Sequence, residues 1–175
     1  MANDVWASTF HSACVRILRR DIDRLGFAKD FTIYDTDDAR RVVKDVVKEL
    51  NLDDKTFQPK SVLSVISAAK DRYLGPEEFA QKHSAETDWR MGRIAKIYAA
   101  YQKKLASASA LDFDDIIFHT VTLLKQEPEV LACYQKKFRY VCVDEYQDTN
   151  HLQYLLTGLL AGGRRNLCVV GDDDQ

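Results

Sequence analysis

The sequence predicts a mostly helical α/β fold, in which a parallel sheet is interrupted by an inserted all-helical segment. Near the C-terminus, over 139–170, two β-rich apolar runs flank a helical pattern, and such a strand–helix–strand unit with a short return forms a parallel sheet. Through the middle, about 27–108, apolar residues recur at helical spacing. We therefore expect part of an α/β core in 1–26, a helical insert in 27–108 and a return to the core in 109–175.

Composition and charge narrow the class of protein. Hydrophobic residues make up 46% of the chain and charged residues 30%, as in soluble globular proteins. No apolar run is long enough to cross a bilayer, and no N-terminal segment has the pattern of a secretion signal, so we expect no membrane partner. The net charge of −2 neither favours nor excludes nucleic acid, because DNA binding requires a local basic surface rather than a basic total.

The four cysteines are widely scattered and none forms a C-x-x-C pair, so we do not expect a zinc site. Each lies within an apolar pattern, and we predict four small, buried side chains in a reducing cytosol. They are Cys14, Cys133, Cys142 and Cys168.

The first elements are predicted from apolar spacing and from residues that begin or end helices. Val5–Thr9 is predicted as a short strand, and a helix over Phe10–Leu25 stops at Gly26. Then follow, in order, an extended piece Phe31–Tyr34, a helix capped by Asp35 or Thr36, a helix from Pro59 to about Leu74 and a short helix from Pro76.

The remaining elements return from helices to a strand–helix–strand pattern. They are a helix over about Glu86–Ala106, a small-residue joint at 107–110, helices over Asp112–Lys125 and Glu129–Lys137, a strand over Arg139–Val143, a helix near Asn150–Ala161 and a strand over Asn166–Val170. We expect Asp112, Asp114 and Asp115 to cap a helix and to favour its positive end. A further role for Asp114 at DNA or at a domain boundary stays open.

Two adjacent acids, Asp144 and Glu145, follow the apolar strand that ends at Val143. Side chains at the carboxyl end of a parallel strand point into the crevice where α/β sheets bind ligands. There, one carboxylate can hold Mg²⁺, and the next can orient and deprotonate a water for attack on a γ-phosphate. The alternative is structural: Asp148 or Thr149 caps the following helix, and the two acids are a solvated strand end.

The string V-D-E-Y-Q-D-T-N over 143–150 resembles motif II, the Walker B box, of superfamily 1A helicases of the UvrD/Rep/PcrA group. In the same order along the chain, Thr9–Ser12 resembles motif Ib, Leu111–Asp115 resembles the motif ahead of the return to the ATPase core, and Val170–Gln175 resembles the first half of motif III. The resemblance covers essentially the whole chain, and the helical stretches look most like PcrA-type members. It implies an incomplete RecA-like P-loop NTPase sheet (subdomain 1A) with an inserted helical subdomain 1B.

The resemblance also implies roles in ATP hydrolysis. Asp144 matches the residue that helps to hold Mg²⁺, and Glu145 matches the catalytic base. Gln147 matches a residue near the γ-phosphate that links hydrolysis to DNA-dependent movement. Gln175 matches the motif III glutamine, which lies at the junction of nucleotide and DNA.

Residues of the motif Ib match are implied in DNA contact. Thr9, Phe10 and His11 match residues that line the single-strand track, and Arg16, with two further arginines of the same helix, is suited to phosphate contact. Each has an alternative interpretation. Phe10 can begin the apolar face of its helix, His11 can be a capping or hydrogen-bonded surface histidine, and the arginines can form a solvated helix face.

The 175 residues contain no G-x-x-x-x-G-K-[ST] sequence, which supplies the phosphate cradle of such ATPases. From the resemblance and this departure we expect a fragment of an ATP-dependent DNA helicase, which translocates 3′ to 5′ on single-stranded DNA and unwinds duplexes in repair or replication. ATP and Mg²⁺ are expected to bind the whole protein, while the fragment alone is expected to bind neither and to be inactive. Two alternatives stay open: a non-enzymatic helical module that binds DNA or a partner, and a metal-dependent nuclease built on Asp112, Asp114, Asp144, Glu145 and Asp172.

The implied surroundings are the bacterial cytosol and the nucleoid. The expected partners are single-stranded and duplex DNA, with repair or replication proteins. The last predicted strand, Asn166–Val170, is expected to present an open apolar edge, through which copies of the chain can associate.

Overall fold

A computed structural model describes residues 5–83 and 88–172 and divides the chain into two compact units. We call residues 30–115 the middle unit, and residues 1–29 with 116–175 the terminal unit. Most of the described chain is helical, and the described strands form two small parallel sheets of two strands each. Within the described ranges, no helix is both long enough and apolar enough to cross a membrane.

The middle unit consists of helices packed around an apolar core, with one short pair of strands. Its elements are β1 (Thr32–Ile33), α2 (Thr36–Glu49), α3 (Pro59–Asp71), α4 (Pro76–Lys82), α5 (Trp89–Ser107) and β2 (Ala110–Leu111). The core side chains come from all four helices and include Val43, Val46, Val62, Ile66, Phe79, Ile94, Tyr98 and Tyr101. Their spacing of three and four residues is the helical period seen in the sequence, which is why the helix predictions here are confirmed within the described residues. The predicted helix start at Glu86 lies outside the described residues.

The ends of these helices follow from local chemistry. The carboxylate of Asp35 accepts hydrogen bonds from the backbone N–H groups of Asp37 and Asp38 and so caps α2. Pro59 and Pro76 each begin a helix, where the missing N–H of proline leaves no hydrogen bond unmade. The prediction for 107–110 missed a strand, because Ala110 and Leu111 pair in parallel with β1. Two apolar residues after a helix carry too little pattern to indicate a strand.

The terminal unit contains the second parallel pair of strands. Its elements are α1 (Phe10–Asp21), most of α6 (Phe113–Gln126), α7 (Pro128–Lys137), β3 (Val141–Val143), α8 (His151–Ala161) and β4 (Leu167–Val169). A single turn of 3₁₀ helix, Ile22–Leu25, follows α1 and ends at Gly26, whose φ of 83° is left-handed. β3 and β4 pair in parallel with α8 between them in the chain, as the strand–helix–strand pattern predicts.

The predicted strand Val5–Thr9 is wrong. Residues 5–9 have no regular secondary structure, and no described strand pairs with them. A strand requires a neighbour for its backbone groups, and β-rich composition does not supply one. Trp6 instead packs edge-on against the ring of Phe138, with 5.0 Å between centroids.

The cysteine prediction holds for one residue of four. Cys14 is buried on the inner face of α1, and burial raises the pKa of its thiol to about 12. Cys133, Cys142 and Cys168 are exposed. Cys142 precedes buried Val143, and because side chains alternate along a strand, it points to the opposite side of the sheet.

Candidate functional site at the end of strand β3

The backbone of β3 and β4 holds the acidic segment against the residues that follow β4. Cys142 lies opposite Cys168 in the register of the two strands. Beyond the strands the pairing continues, because the N–H of Val170 donates to the carbonyl of Val143 over 2.8 Å and the N–H of Tyr146 donates to the carbonyl of Val170 over 2.9 Å. The chain from Val143 to Tyr146 is thus hydrogen-bonded at both ends to Val170.

Glu145 lies at the bend of this tied segment. Its φ of 51° and ψ of 45° place it in the left-handed region, which a residue with a Cβ adopts only at a cost of about 1–3 kcal/mol. Such conformations persist where the surroundings impose them and concentrate at functional sites. At this bend the carboxylate of Asp144 accepts the N–H of Glu145 over 3.0 Å. The two adjacent carboxylates thus have different partners, since that of Asp144 accepts a backbone N–H and that of Glu145 accepts the side-chain amide of Gln147.

Gln147 joins the acidic segment to the residue after Gly171. Its Nε2 donates to Oε2 of Glu145 over 2.7 Å, and its Oε1 accepts the N–H of Asp172 over 3.1 Å. Gln147 lies in a single 3₁₀ turn, Tyr146–Asp148, that ends before the capping residue of α8. The alternative capping prediction for Asp148 or Thr149 is wrong, because the side chain of Asn150 caps α8 by accepting the N–H of Gln153.

The charge at this strand end fits a bound cation. Asp144 and Glu145 are both exposed, and neither forms an ion pair with a lysine or arginine within the described part of the chain. Mg²⁺ usually keeps several waters and takes one or two carboxylates together with substrate phosphates. The described residues contain no cluster of three or more histidine, cysteine, aspartate or glutamate side chains suited to a metal. The arrangement therefore suits Mg²⁺ shared with phosphates.

The residues implied in DNA contact lie at the start of α1. Thr9 is exposed and caps the helix, because its Oγ1 accepts the N–H of Ser12 over 3.2 Å. Phe10 and His11 are half-buried in the first turn. Gln175, implied at the nucleotide–DNA junction, lies outside the described residues.

Arg16 is exposed on α1 and lies against an aromatic ring. Its guanidinium carbon is 3.7 Å from the ring centroid of Trp6, and the Lys137 ammonium is 4.4 Å from the same centroid. Two cations at one indole are a cation–π arrangement that orders both side chains at the surface. Sequence spacing did not indicate this contact, since Lys137 is on α7.

A buried ion-pair cluster forms a second group of charged residues, in the middle unit. Lys70 of α3 is 1% exposed, and its Nζ lies 2.6 Å from Oδ2 of Asp112 and 2.7 Å from Oδ1 of Asp115. The Tyr101 hydroxyl donates to Asp112 over 2.7 Å, and Nε2 of Gln102 donates to Asp115 over 3.0 Å. The two carboxylates also cap α6 reciprocally, each accepting the backbone N–H of the other, which confirms the capping prediction for Asp112 and Asp115.

The charges of two neighbouring carboxylates keep the buried Lys70 side chain protonated. Burial by itself lowers the pKa of an ammonium, but the charges of Asp115 and Asp112 outweigh that effect, and the pKa of Lys70 is raised. Burial, followed by the charge of Asp112, raises the pKa of the Tyr101 hydroxyl. Asp114 is half-buried, and burial followed by the nearby Asp112 charge raises the pKa of its carboxyl group above the ordinary value.

Sequence reasoning missed Lys70 and Gly171. Lys70 had a signal, because it shares the apolar face of α3 with Val62 and Ile66, and a lysine on such a face needs a buried carboxylate partner. No sequence pattern indicates Gly171. A side chain at this position would meet Gln147, which is distant in the sequence.

Comparison with known proteins identifies the family. The chain belongs to the UvrD/REP helicase N-terminal domain family, whose model matches residues 1–175. It is 53% identical over 174 residues to the ATP-dependent DNA helicase PcrA of Bacillus subtilis (strain 168), an alignment that covers 99% of this chain and 23% of that protein. It is 51% identical to PcrA of Staphylococcus aureus (strain Mu50), over 99% of this chain and 23% of that protein. PcrA of Staphylococcus epidermidis is 50% identical, over 99% of this chain and 24% of that protein. The chain thus spans about a quarter of the length of the relatives it matches.

Proposed function

We propose that this chain is part of an ATP-dependent DNA helicase, in which it supplies the magnesium-binding and water-activating residues of the motor. The observation that carries the proposal is the strand end at which Asp144 and Glu145 are both exposed and Glu145 is linked through Gln147 to the segment after β4. Family membership and the similarity to PcrA proteins support it. The terminal unit then corresponds to a RecA-like core and the middle unit to an inserted helical subdomain.

ATP and Mg²⁺ belong to the whole protein in this proposal. Mg²⁺ bound with the nucleotide neutralises charge on the phosphates. The exposed carboxylate of Asp144 would hold that ion. Glu145 accepts a proton from a water, and Gln147 orients the Glu145 carboxylate by donating to one of its two oxygens, which leaves the other for the water.

The isolated 175 residues are expected to be inactive as an ATPase. Phosphoryl transfer depends mainly on positioning and charge neutralisation, and the chain lacks the glycine-rich sequence with lysine that does both. For the whole protein we propose translocation on single-stranded DNA, 3′ to 5′, and unwinding of duplex DNA in repair or replication, in the bacterial cytosol. Thr9, Phe10, His11 and Arg16 are proposed as DNA contacts, and Gln175 as a contact near the nucleotide.

The deciding experiment measures ATP hydrolysis by the whole gene product, with and without single-stranded DNA, beside its Glu145→Gln variant. We expect DNA-stimulated turnover that falls by about 10²–10⁴-fold in the variant, while nucleotide still binds, because this is the contribution of a positioned general base. Glu129→Gln is the matched control, since Glu129 is an exposed carboxylate of the same unit outside the site. Turnover indifferent to Glu145 would refute the assignment of the catalytic base.

A second candidate function, a helical module that binds duplex DNA, has its own observation. A recess of the middle unit is lined by Arg40, Arg41, Lys44 and Lys60, beside the N-terminal end of α3. Arg40 and Arg41 are partly neutralised by Asp37 and Asp38, whereas positive charge from the two lysines remains for phosphates. We expect Lys44→Glu with Lys60→Glu to weaken duplex binding by this chain and to reduce its salt dependence. Unchanged binding would remove this candidate.

A further inference from the structure

Gly171 follows β4 and faces the side chain of Gln147. A Cβ built on Gly171 lies 2.8 Å from Oε1 of Gln147, closer than real Cβ atoms approach such an atom. The same Cβ lies 3.5 Å from the backbone nitrogen of Gln147 and 3.6 Å from Cβ of Tyr146, which are ordinary contacts. The conflict is therefore confined to the end of one flexible side chain, so that a methyl group here displaces the Gln147 carboxamide and leaves the backbone in place.

The displaced carboxamide is the one that connects the two sides of the site. Its oxygen accepts the N–H of Asp172 and its nitrogen donates to Glu145, and both bonds depend on one orientation of one planar group. Because both contacts belong to one rigid, planar group, a shift that moves the oxygen away from the Asp172 N–H also changes the position of the nitrogen relative to Glu145. The space beside Gly171 therefore influences the hydrogen bond that Gln147 donates to Glu145.

We propose that Gly171 is a positioning residue for hydrolysis: the missing side chain lets Gln147 dock on the Asp172 N–H, and the docked Gln147 holds the Glu145 carboxylate in one direction. This deepens the proposed function and rests on it as far as turnover is concerned, while the contact itself is independent of catalysis. A carboxylate held in one direction is preorganised for the water, whereas a mobile one spends less time in a productive orientation. The segment that follows β4 is thereby linked to the base through a single side chain.

The first test observes the contact in the chain itself, by NMR of the Gln147 side-chain amide and of the Asp172 backbone amide. In the wild type we expect a Gln147 amide proton shifted downfield by the carboxylate, and we expect Glu145→Gln to move it. Gly171→Ala is expected to move both the Gln147 side-chain and the Asp172 backbone signals while the rest of the spectrum is retained. Gly158→Ala is the matched control, because Gly158 is a glycine of the same unit whose added Cβ meets nothing within 4 Å. Gln147 and Asp172 signals that are the same in Gly171→Ala and in the wild type would overturn the proposal.

The second test measures turnover of the whole gene product. We expect Gly171→Ala to lower kcat for DNA-stimulated ATP hydrolysis by about tenfold, with KM for ATP within about twofold of the wild type, because orientation rather than nucleotide binding is lost. Gly158→Ala is expected to leave both constants unchanged. Wild-type kcat in Gly171→Ala would refute the catalytic part of the proposal. A wild-type protein without DNA-stimulated turnover would instead refute the proposed function, and the NMR measurement would still decide whether Gly171 positions Gln147.

Discussion

The carboxamide nitrogen of Gln147 donates a hydrogen bond of 2.7 Å to the carboxylate of Glu145, two residues earlier in the chain. These two residues are near neighbours in the sequence, but their contact also depends on a distant segment. The carboxamide oxygen of the same Gln147 side chain accepts the N–H of Asp172. The pair includes the residue with the left-handed backbone, since Glu145 has a φ of 51°. The stability of this bend and the chemistry of this pair can be tested separately.

The left-handed backbone at Glu145 predicts that a residue with a Cβ atom destabilises the chain at this position. We expect Glu145→Gly to be more stable than Glu145→Ala by about 1 kcal/mol, because both variants lack the carboxylate but only glycine adopts this backbone without strain. The measurement is urea unfolding of the two variants side by side. Equal stability of the glycine and alanine variants would show that the bend is relaxed in solution.

The buried cluster around Lys70 predicts a large loss of stability when its cation is removed. Lys70→Met leaves the carboxylates of Asp112 and Asp115 buried without compensation, which costs about 3–5 kcal/mol. Lys104→Met is the matched control, because Lys104 pairs with Glu49 at the surface, where such a pair contributes at most about 1 kcal/mol. Both variants are compared by chemical unfolding of the chain. Similar losses for the two lysines would contradict a charged, buried Lys70.

The same cluster predicts a loss of stability in alkali. The folded pKa of Lys70 is raised above its ordinary value of 10.5, and that of Tyr101 above 10.0, so the folded chain binds more protons than the unfolded chain once the pH exceeds about 10. The stability that these groups contribute is fully present below pH 10 and falls as the pH rises further.

This pH dependence is checked by two signals recorded on one sample. Tyrosinate absorbance is expected to rise in two steps, and the second rise is expected together with the loss of helical circular dichroism, because unfolding exposes the buried Tyr101. Tyr101→Phe should reduce the second rise. A single absorbance step complete before any helix is lost would contradict a buried, protonated Tyr101.

The exposed side of β4 predicts concentration-dependent association of the chain. Leu167 and Val169 are about half exposed, and no described strand pairs with the second edge of β4. The N–H of Val170 bonds to β3, and because alternate residues of a strand bond to the same neighbour, the N–H of Val169 points to the open edge. We expect sedimentation velocity to show self-association of the chain. Val169→Pro is expected to abolish this association, and Val169→Thr is expected to retain it. A monomer at all concentrations would refute the prediction.

Much of the helical structure could be predicted from the sequence, because it follows from contacts within a few residues. The cap at Asp35, the prolines that begin α3 and α4, and the glycine that ends the first helical segment each act on their own turn of helix. The strand prediction for Val5–Thr9 failed for the opposite reason, since a strand exists only with a partner, and composition does not report one.

The sequence by itself determined the acidic motif, its place at a strand end and the family to which the chain belongs. Only the tertiary structure decided how these residues are arranged: the left-handed bend at Glu145, the docking of Gln147 on the Asp172 N–H and the pairing of Lys70 with two carboxylates about forty residues away. The physical reason is the range of the interactions. Helix caps and apolar spacing act between residues that are close in the sequence. The space beside Gly171 and the carboxylates around Lys70 depend on segments that meet only when the chain folds.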